Sequence, residues 1–184
     1  MVKIEKVTPV LLETLKNSKY ADEFVQEICN LWQTYDRSGY AIFAVEDKEV
    51  RGFCLLESGK KEEFTLQVGF VQTAELFTIR GMWVAEPFRK LGLGGQIIGE
   101  TLSKVLAEAD NPDKTLCLVN ISAGSEEFYT KMGFTIAGVR KDLGEEAVAV
   151  GYAEFDDEHP MFWAPVISQH FHENLGMFTS IVRV

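Results

Sequence analysis

The sequence predicts an α/β (mixed α+β) fold, in which helices pack on a single mixed sheet. Three observations lead there. At 184 residues the chain suits one domain, large enough to bury a sizeable core without disulfides or metals. Its hydrophobic periodicity switches in the order strand, two helices, four strands, helix, strand, helix, strands. No internal repeat, low-complexity tract or interdomain linker interrupts that order.

Residues 3–7 alternate charged and apolar side chains, as a short edge strand does. From Val10 to Tyr35 the apolar spacing becomes three and four. Leu11, Leu12 and Leu15, then Phe24, Ile28, Leu31 and Trp32, mark two amphipathic helices. Residues 40–45 and 50–56 are β-branched and aromatic runs separated by Glu46–Lys48 and Glu49, which reads as a hairpin. Ser58-Gly59-Lys60-Lys61 is expected to turn the chain, and residues 64–71 and 76–84 form a further strand pair.

Ile97, Ile98, Thr101, Leu102, Val105, Leu106 and Ala109 trace one helical face, which Asp110-Asn111-Pro112 ends. Residues 115–121 are continuously apolar apart from Asn120, as in a strand buried on both faces. Residues 126–132 form a short helix, with Ser125 as the expected N-cap and Gly133 as the stop. Residues 134–139 and 147–155 pair across Asp142-Leu143-Gly144. The domain is expected over residues 1–155. Residues 156–184 form a C-terminal extension, packed on the same domain or at the interface of a homodimer.

A composition of 46% hydrophobic and 25% charged residues is ordinary for a globular protein. No apolar run approaches the roughly 20 residues that cross a bilayer, and the charged N-terminal segment is no signal peptide. A cytoplasmic protein is expected. Cys29, Cys54 and Cys117 form no close pair and no metal pattern, and Cys54 and Cys117 read as small buried hydrophobes. The net charge of -10 repels nucleic acid and anionic membrane and mildly favours a cationic partner.

The stretch richest in chemistry is Met82-Trp83-Val84-Ala85-Glu86-Pro87-Phe88-Arg89-Lys90-Leu91-Gly92-Leu93-Gly94-Gly95-Gln96. A strand ends, Pro87 blocks its continuation, and a basic glycine-bearing loop opens a long helix. The first amides of a helix lack intrahelical partners and carry partial positive charge, so this is an anion site. Glycines at 92, 94 and 95 let a phosphate approach the backbone, and Arg89 and Lys90 add charge. The spacing matches neither the dinucleotide fingerprint nor the P-loop.

Arg89-x-x-Gly92-x-Gly94 resembles the pyrophosphate-binding signature of the GNAT superfamily of N-acetyltransferases, Arg/Gln-x-x-Gly-x-Gly/Ala. Downstream, Phe128-Tyr129-Thr130-Lys131-Met132-Gly133-Phe134 resembles that family's Phe-Tyr-x-Lys-x-Gly-Phe segment. Two motifs in the right order are far more specific than either alone. The resemblance implies a mostly antiparallel sheet with helices on both faces, splayed where acetyl-CoA binds. It implies that the amides of Arg89, Lys90, Leu91, Gly92, Leu93, Gly94 and Gly95 cradle the CoA pyrophosphate. The backbone at Met82, Trp83 and Val84 pairs with the pantetheine arm, and Asn120 contacts it. The Val84 N–H would stabilise a developing oxyanion, and Tyr129 would protonate the departing thiolate.

The implied reaction is direct attack by an amine acceptor on acetyl-CoA in a ternary complex, with no metal. The attacking ammonium must first lose a proton. Many relatives carry a carboxylate on the strand before the loop, where this chain has Thr78-Ile79-Arg80-Gly81. Glu75 is the expected base, and Arg80 is expected to face solvent. His170 and His172 would share one face of a strand but lack a third ligand. The alternative to an enzyme is a CoA-binding module that has lost catalysis and acts as a sensor.

Overall fold

The computed structural model describes residues 1–65, 71–122, 124–140 and 148–154. Strand β1 (Val2–Lys6) leads into helix α1 (Pro9–Lys16), which starts where the Thr8 hydroxyl accepts from the Leu11 amide at 3.2 Å. Helix α2 (Glu23–Thr34) is capped likewise by Asp22, whose carboxylate accepts from the Val25 amide at 3.1 Å. Strands β2 (Gly39–Glu46), β3 (Glu49–Thr65) and β4 (Val71–Val84) follow as an antiparallel meander. A 3-10 turn at Glu86–Phe88 precedes helix α3 (Leu93–Glu108). Strand β5 (Thr115–Ile121), helix α4 (Glu126–Lys131) and strands β6 (Thr135–Arg140) and β7 (Val148–Glu154) complete the described chain.

The seven strands form one sheet in the order β1-β2-β3-β4-β5-β7-β6. Only β4 and β5 run parallel, because α3 carries the chain back across the sheet between them. Alternation along β3 divides the core. Phe53 and Leu55 pack with Leu12, Leu15, Ile28 and Trp32 of α1 and α2. Cys54 and Leu56 pack on the other face with Ile97, Ile98 and Val105 of α3 and Tyr129 of α4.

The structure differs from the sequence expectation at Ser58–Lys61. No turn forms; β3 runs on through these residues as one 17-residue strand. Glu57 pairs with Thr78 and Lys60 with Leu76, so Ser58 and Gly59 together oppose Phe77 as a bulge. Local turn chemistry yields there to pairing with β4. Leu106 also departs from the predicted face of α3, at 43% exposed. Ser125 occupies the N-cap of α4 without capping it, since its hydroxyl lies 3.1 Å from that of Ser122. All three cysteines are buried, and burial pushes the Cys54 thiol up to about 12, as inert core thiols require. The tail from residue 155, with His170 and His172, and the expected Asp142–Gly144 turn lie outside the described residues. Among those described, no helix is long and apolar enough to cross a membrane.

A second bulge shapes the centre of the sheet. Leu56 pairs with Ile79 and Leu55 with Gly81, leaving Arg80 as the extra residue on β4. A bulge bends and twists its strand. The parallel ladder between β4 and β5 runs from Glu75↔Thr115 to Ile79↔Val119 and stops there. Past that point β4 continues to Val84 and β5 to Ile121. The sheet opens between them.

Removing the cap of α2 tests how firmly that helix is set on the sheet. Asp22→Ala should lower unfolding stability by about 1 kcal/mol in urea titrations. Asp22→Asn should recover most of the loss.

Candidate functional site

The gap between β4 and β5 has a polar lining because of how β4 alternates. The Ala85 N–H donates to the Arg51 carbonyl of β3 at 2.9 Å. Trp83 and Gly81 must therefore turn their amides the same way, and Met82 and Val84 turn theirs toward the gap. A strand edge inside the sheet is thus left without a β5 partner beyond Ile79↔Val119. Arg89 claims one group of this edge: its Nε donates to the Val84 carbonyl at 2.9 Å.

At the end of the gap stands the N-terminus of α3. Its N-cap is Gly92, at φ +83°, with no side chain to cap the helix and no acidic residue in the first turn. Unlike α1 and α2, each capped by a side chain, α3 shares with the short α4 a start without a side-chain cap. The first intrahelical bond there is from the Gln96 amide to the Gly92 carbonyl at 3.1 Å. A cleft of about 410 Å³ lies over this end. Arg89, Lys90, Gly92, Gly94 and Gly95 line one side, and Ser125, Phe128 and Met132 the other, with Val84 at its base. Among the described residues two cations and no carboxylate line it, which suits a diphosphate. At Gly94 a Cβ would come within 3.3 Å of Met82 Cε and Phe128 Cζ, so glycine keeps α3 close to β4 and α4. The residues present fit the anionic end of a CoA molecule.

Tyr129 reaches the same place from α4. It is fully buried, its ring held edge-on by Phe128 and Phe134 at 5.1 and 5.4 Å between centroids. Its hydroxyl contacts the Met82 sulfur at 3.7 Å, a weak acceptor. Burial, with Cys54 and Cys117 nearby, pushes its pKa well above the usual tyrosine value. It can donate a proton and will not lose one to water at neutral pH. Asn120, 4% exposed, follows the last β4–β5 pair on β5.

Three sequence-predicted residues lie elsewhere. Glu75 stands at the far end of the β4–β5 ladder, about 20 Å of strand from Met82. Its carboxylate there accepts from the Asp110 amide at 2.9 Å, and the structure does not bring it to the gap. Trp83 turns its ring to the opposite face, 5.8 Å from Phe53. Leu91 is 71% exposed and points away from the core.

Sequence reasoning missed a buried ionic cluster at the bulge. Arg80 is 8% exposed rather than solvent-facing, and its Nε donates to Glu57 Oε2 at 2.5 Å. Lys60 Nζ lies 2.5 Å from Glu57 Oε1, and Arg37 Nε 3.9 Å from Oε2. The only signal in the sequence was a glutamate and an arginine inside apolar strands. Burial pushes the Glu57 carboxyl up, but Lys60 and Arg80 more than offset this and hold it below the ordinary value of 4.5. A carboxyl with a depressed folded pKa stabilises the fold above its unfolded pKa, and the contribution is lost as pH falls through the folded value. Glu57→Gln should therefore cost about 3 kcal/mol near pH 7, a deficit that narrows on acidification below 4.5. Urea midpoints across pH would show it, and a deficit constant with pH would contradict the assignment.

The comparisons with known proteins agree with this fold. Residues 37–136 match the family model described as an acetyltransferase (GNAT) domain. Among solved structures, a GNAT-family acetyltransferase from Desulfovibrio desulfuricans superposes with a TM-score of 0.59 at 17% identity, covering 84% of this chain and 99% of its own. An aminoglycoside 6'-N-acetyltransferase complexed with coenzyme A superposes at 0.56 and 13% identity, over 83% and 97% of the two chains. A Brucella melitensis GNAT acetyltransferase in complex with acetyl-CoA superposes at 0.54 and 16%, over 84% and 88%. A comparison with curated proteins finds no match.

The cleft predicts its own disruption. Gly92→Glu places a carboxylate where the amides of α3 receive an anion, and should weaken CoA binding by more than about 100-fold by calorimetry. A Cβ at this position meets nothing within 4 Å, but the left-handed φ of +83° strains any other residue by about 1–2 kcal/mol, so a urea titration of the variant accompanies the calorimetry.

Proposed function

Since the chain belongs to the GNAT acetyltransferase family, we propose that it transfers an acetyl group from acetyl-CoA to an amine by direct attack in a ternary complex. One observation carries the reading. The gap between β4 and β5 leads from a cationic, uncapped helix end toward a buried phenol, and a CoA thioester has that sequence of needs along its length.

Acetyl-CoA supplies an activated acyl group; the protein's own residues do the rest. The amides of Leu93, Gly94 and Gly95, with Arg89 and Lys90, hold the diphosphate. Met82 and Val84 turn backbone amides to the pantetheine arm, and Asn120 meets it from β5. The Val84 N–H also faces the oxygen on which charge develops, and fixed donors of this kind commonly contribute about 3 kcal/mol. Arg89 supports that geometry by holding the Val84 carbonyl. Tyr129 donates its proton to the departing sulfur, and its raised pKa keeps that proton in place at neutral pH until then. Glu75 is given no part. The proton lost by the attacking amine is better carried by water reaching the gap.

Tyr129→Phe provides the test. The change keeps the ring packing and removes the proton donor, so kcat should fall about 10²–10⁴-fold with CoA affinity unchanged. Release of CoA from acetyl-CoA over a panel of amines is the assay. CoA binding without release from any amine would instead identify a CoA-binding module.

A further inference from the structure

We infer that the acceptor amine also carries a carboxylate, which Arg37 binds at the mouth of the gap on the α1/α2 face. The inference rests on the gap being the site of acetyl transfer. The cleft over α3 lies on the α3/α4 face, so CoA enters from that side and its thioester points through the sheet. The acceptor then approaches from the other face. The first residues beyond the last β4–β5 pair, Ile79↔Val119, are Arg80 and Asn120. Glu57, in strand alternation with Phe53 and Leu55, projects to the α1/α2 face, and the guanidinium of Arg80 follows it there.

The charges on this face do not balance among the described residues. Arg37, Lys60 and Arg80 share the single carboxylate of Glu57. Arg80 and Lys60 take its oxygens at 2.5 Å each, and Arg37 stands off at 3.9 Å. The Arg37 side chain is nevertheless only 7% exposed. A buried guanidinium whose carboxylate stands off at 3.9 Å, engaged by two other cations, is only partly compensated. Burial and the adjacent charge of Arg80 push its pKa down, as expected of a cation short of counter-charge.

Its position is fixed in advance. The Ser58 amide donates to the Ser38 carbonyl at 2.9 Å, tying the segment after α2 to β3. A Cβ at Gly39 would fall 2.0 Å from the Leu56 carbonyl, so the approach is as close as glycine permits. The Tyr35 ring stacks 4.7 Å from the guanidinium. A guanidinium held on one face by an aromatic ring presents its edge donors to a carboxylate. The acceptor class is then a small amino acid or a related amino-carboxylate, against the simple cationic partner that the acidic net charge suggests.

The experiment compares amino acids with their carboxamides as acceptors, together with binding of N-acetyl amino acids to the CoA-loaded protein by calorimetry. Carboxylates should exceed their carboxamides in kcat/KM by at least about 10-fold, the worth of a charged hydrogen bond. Arg37→Gln should abolish that preference through the acceptor KM, leaving the acetyl-CoA KM unchanged, and Arg37→Lys should keep part of it. Should the glutamine variant not fold, the wild-type preference and the lysine variant decide. Equal turnover of acids and amides, or equal loss of both in the variant, overturns the inference and leaves acetyl transfer standing. Carboxylate-dependent binding without turnover upholds the anion site and sinks acetyl transfer. Neither binding nor turnover sinks both.

Discussion

The parting of β4 from β5 at the Ile79↔Val119 pair is the constraint on which the rest of this molecule depends. An unbroken sheet would satisfy every backbone group in its interior and leave nothing for a ligand to bind. The bulge at Arg80 ends the ladder, and the amides of Met82 and Val84 then face a gap. In the proposed reading, that unpaired edge is the surface on which the extended thioester arm lies. The open helix end, the phenol and the ionic cluster all take their meaning from their position around that gap.

Helix capping makes the same point from another direction. Thr8 and Asp22 each accept from a leading amide of α1 and α2, which pack on the sheet. At α3 the chain places glycine instead, in a left-handed conformation that needs no side chain. The fold gives up roughly a few tenths of a kcal/mol of capping there and leaves those amides without a side-chain cap. Arg89 joins the two features, since its position in the loop lets its side chain hold the last carbonyl of β4. It acts as a brace as well as a charge.

Much of this was legible in the residues. Periodicity gave α1 to α4 to within a few residues, and the continuous apolar run gave β5 from Thr115 to Ile121. Loop spacing located the start of α3, and the motif picked out Tyr129, which the structure buries against Met82. What the sequence could not show is cross-strand in origin. Ser58-Gly59 has the local signature of a turn, yet β4 pairs on either side of it and holds the strand extended. Glu75 is a carboxylate on the expected strand, but register puts it at the wrong end of the ladder. Arg80 looked solvent-facing because its partner, Glu57, lies 23 residues away and reaches it only through the pairing of β3 with β4.

The central claim is that backbone amides on either side of one loop grip a single CoA molecule. An amide-resolved nuclear magnetic resonance titration of the protein with CoA tests it most directly. Shifts concentrated at Met82, Val84, Leu93, Gly94 and Gly95, saturating together with one affinity, are the predicted result. Saturable shifts that leave those amides unmoved would contradict it.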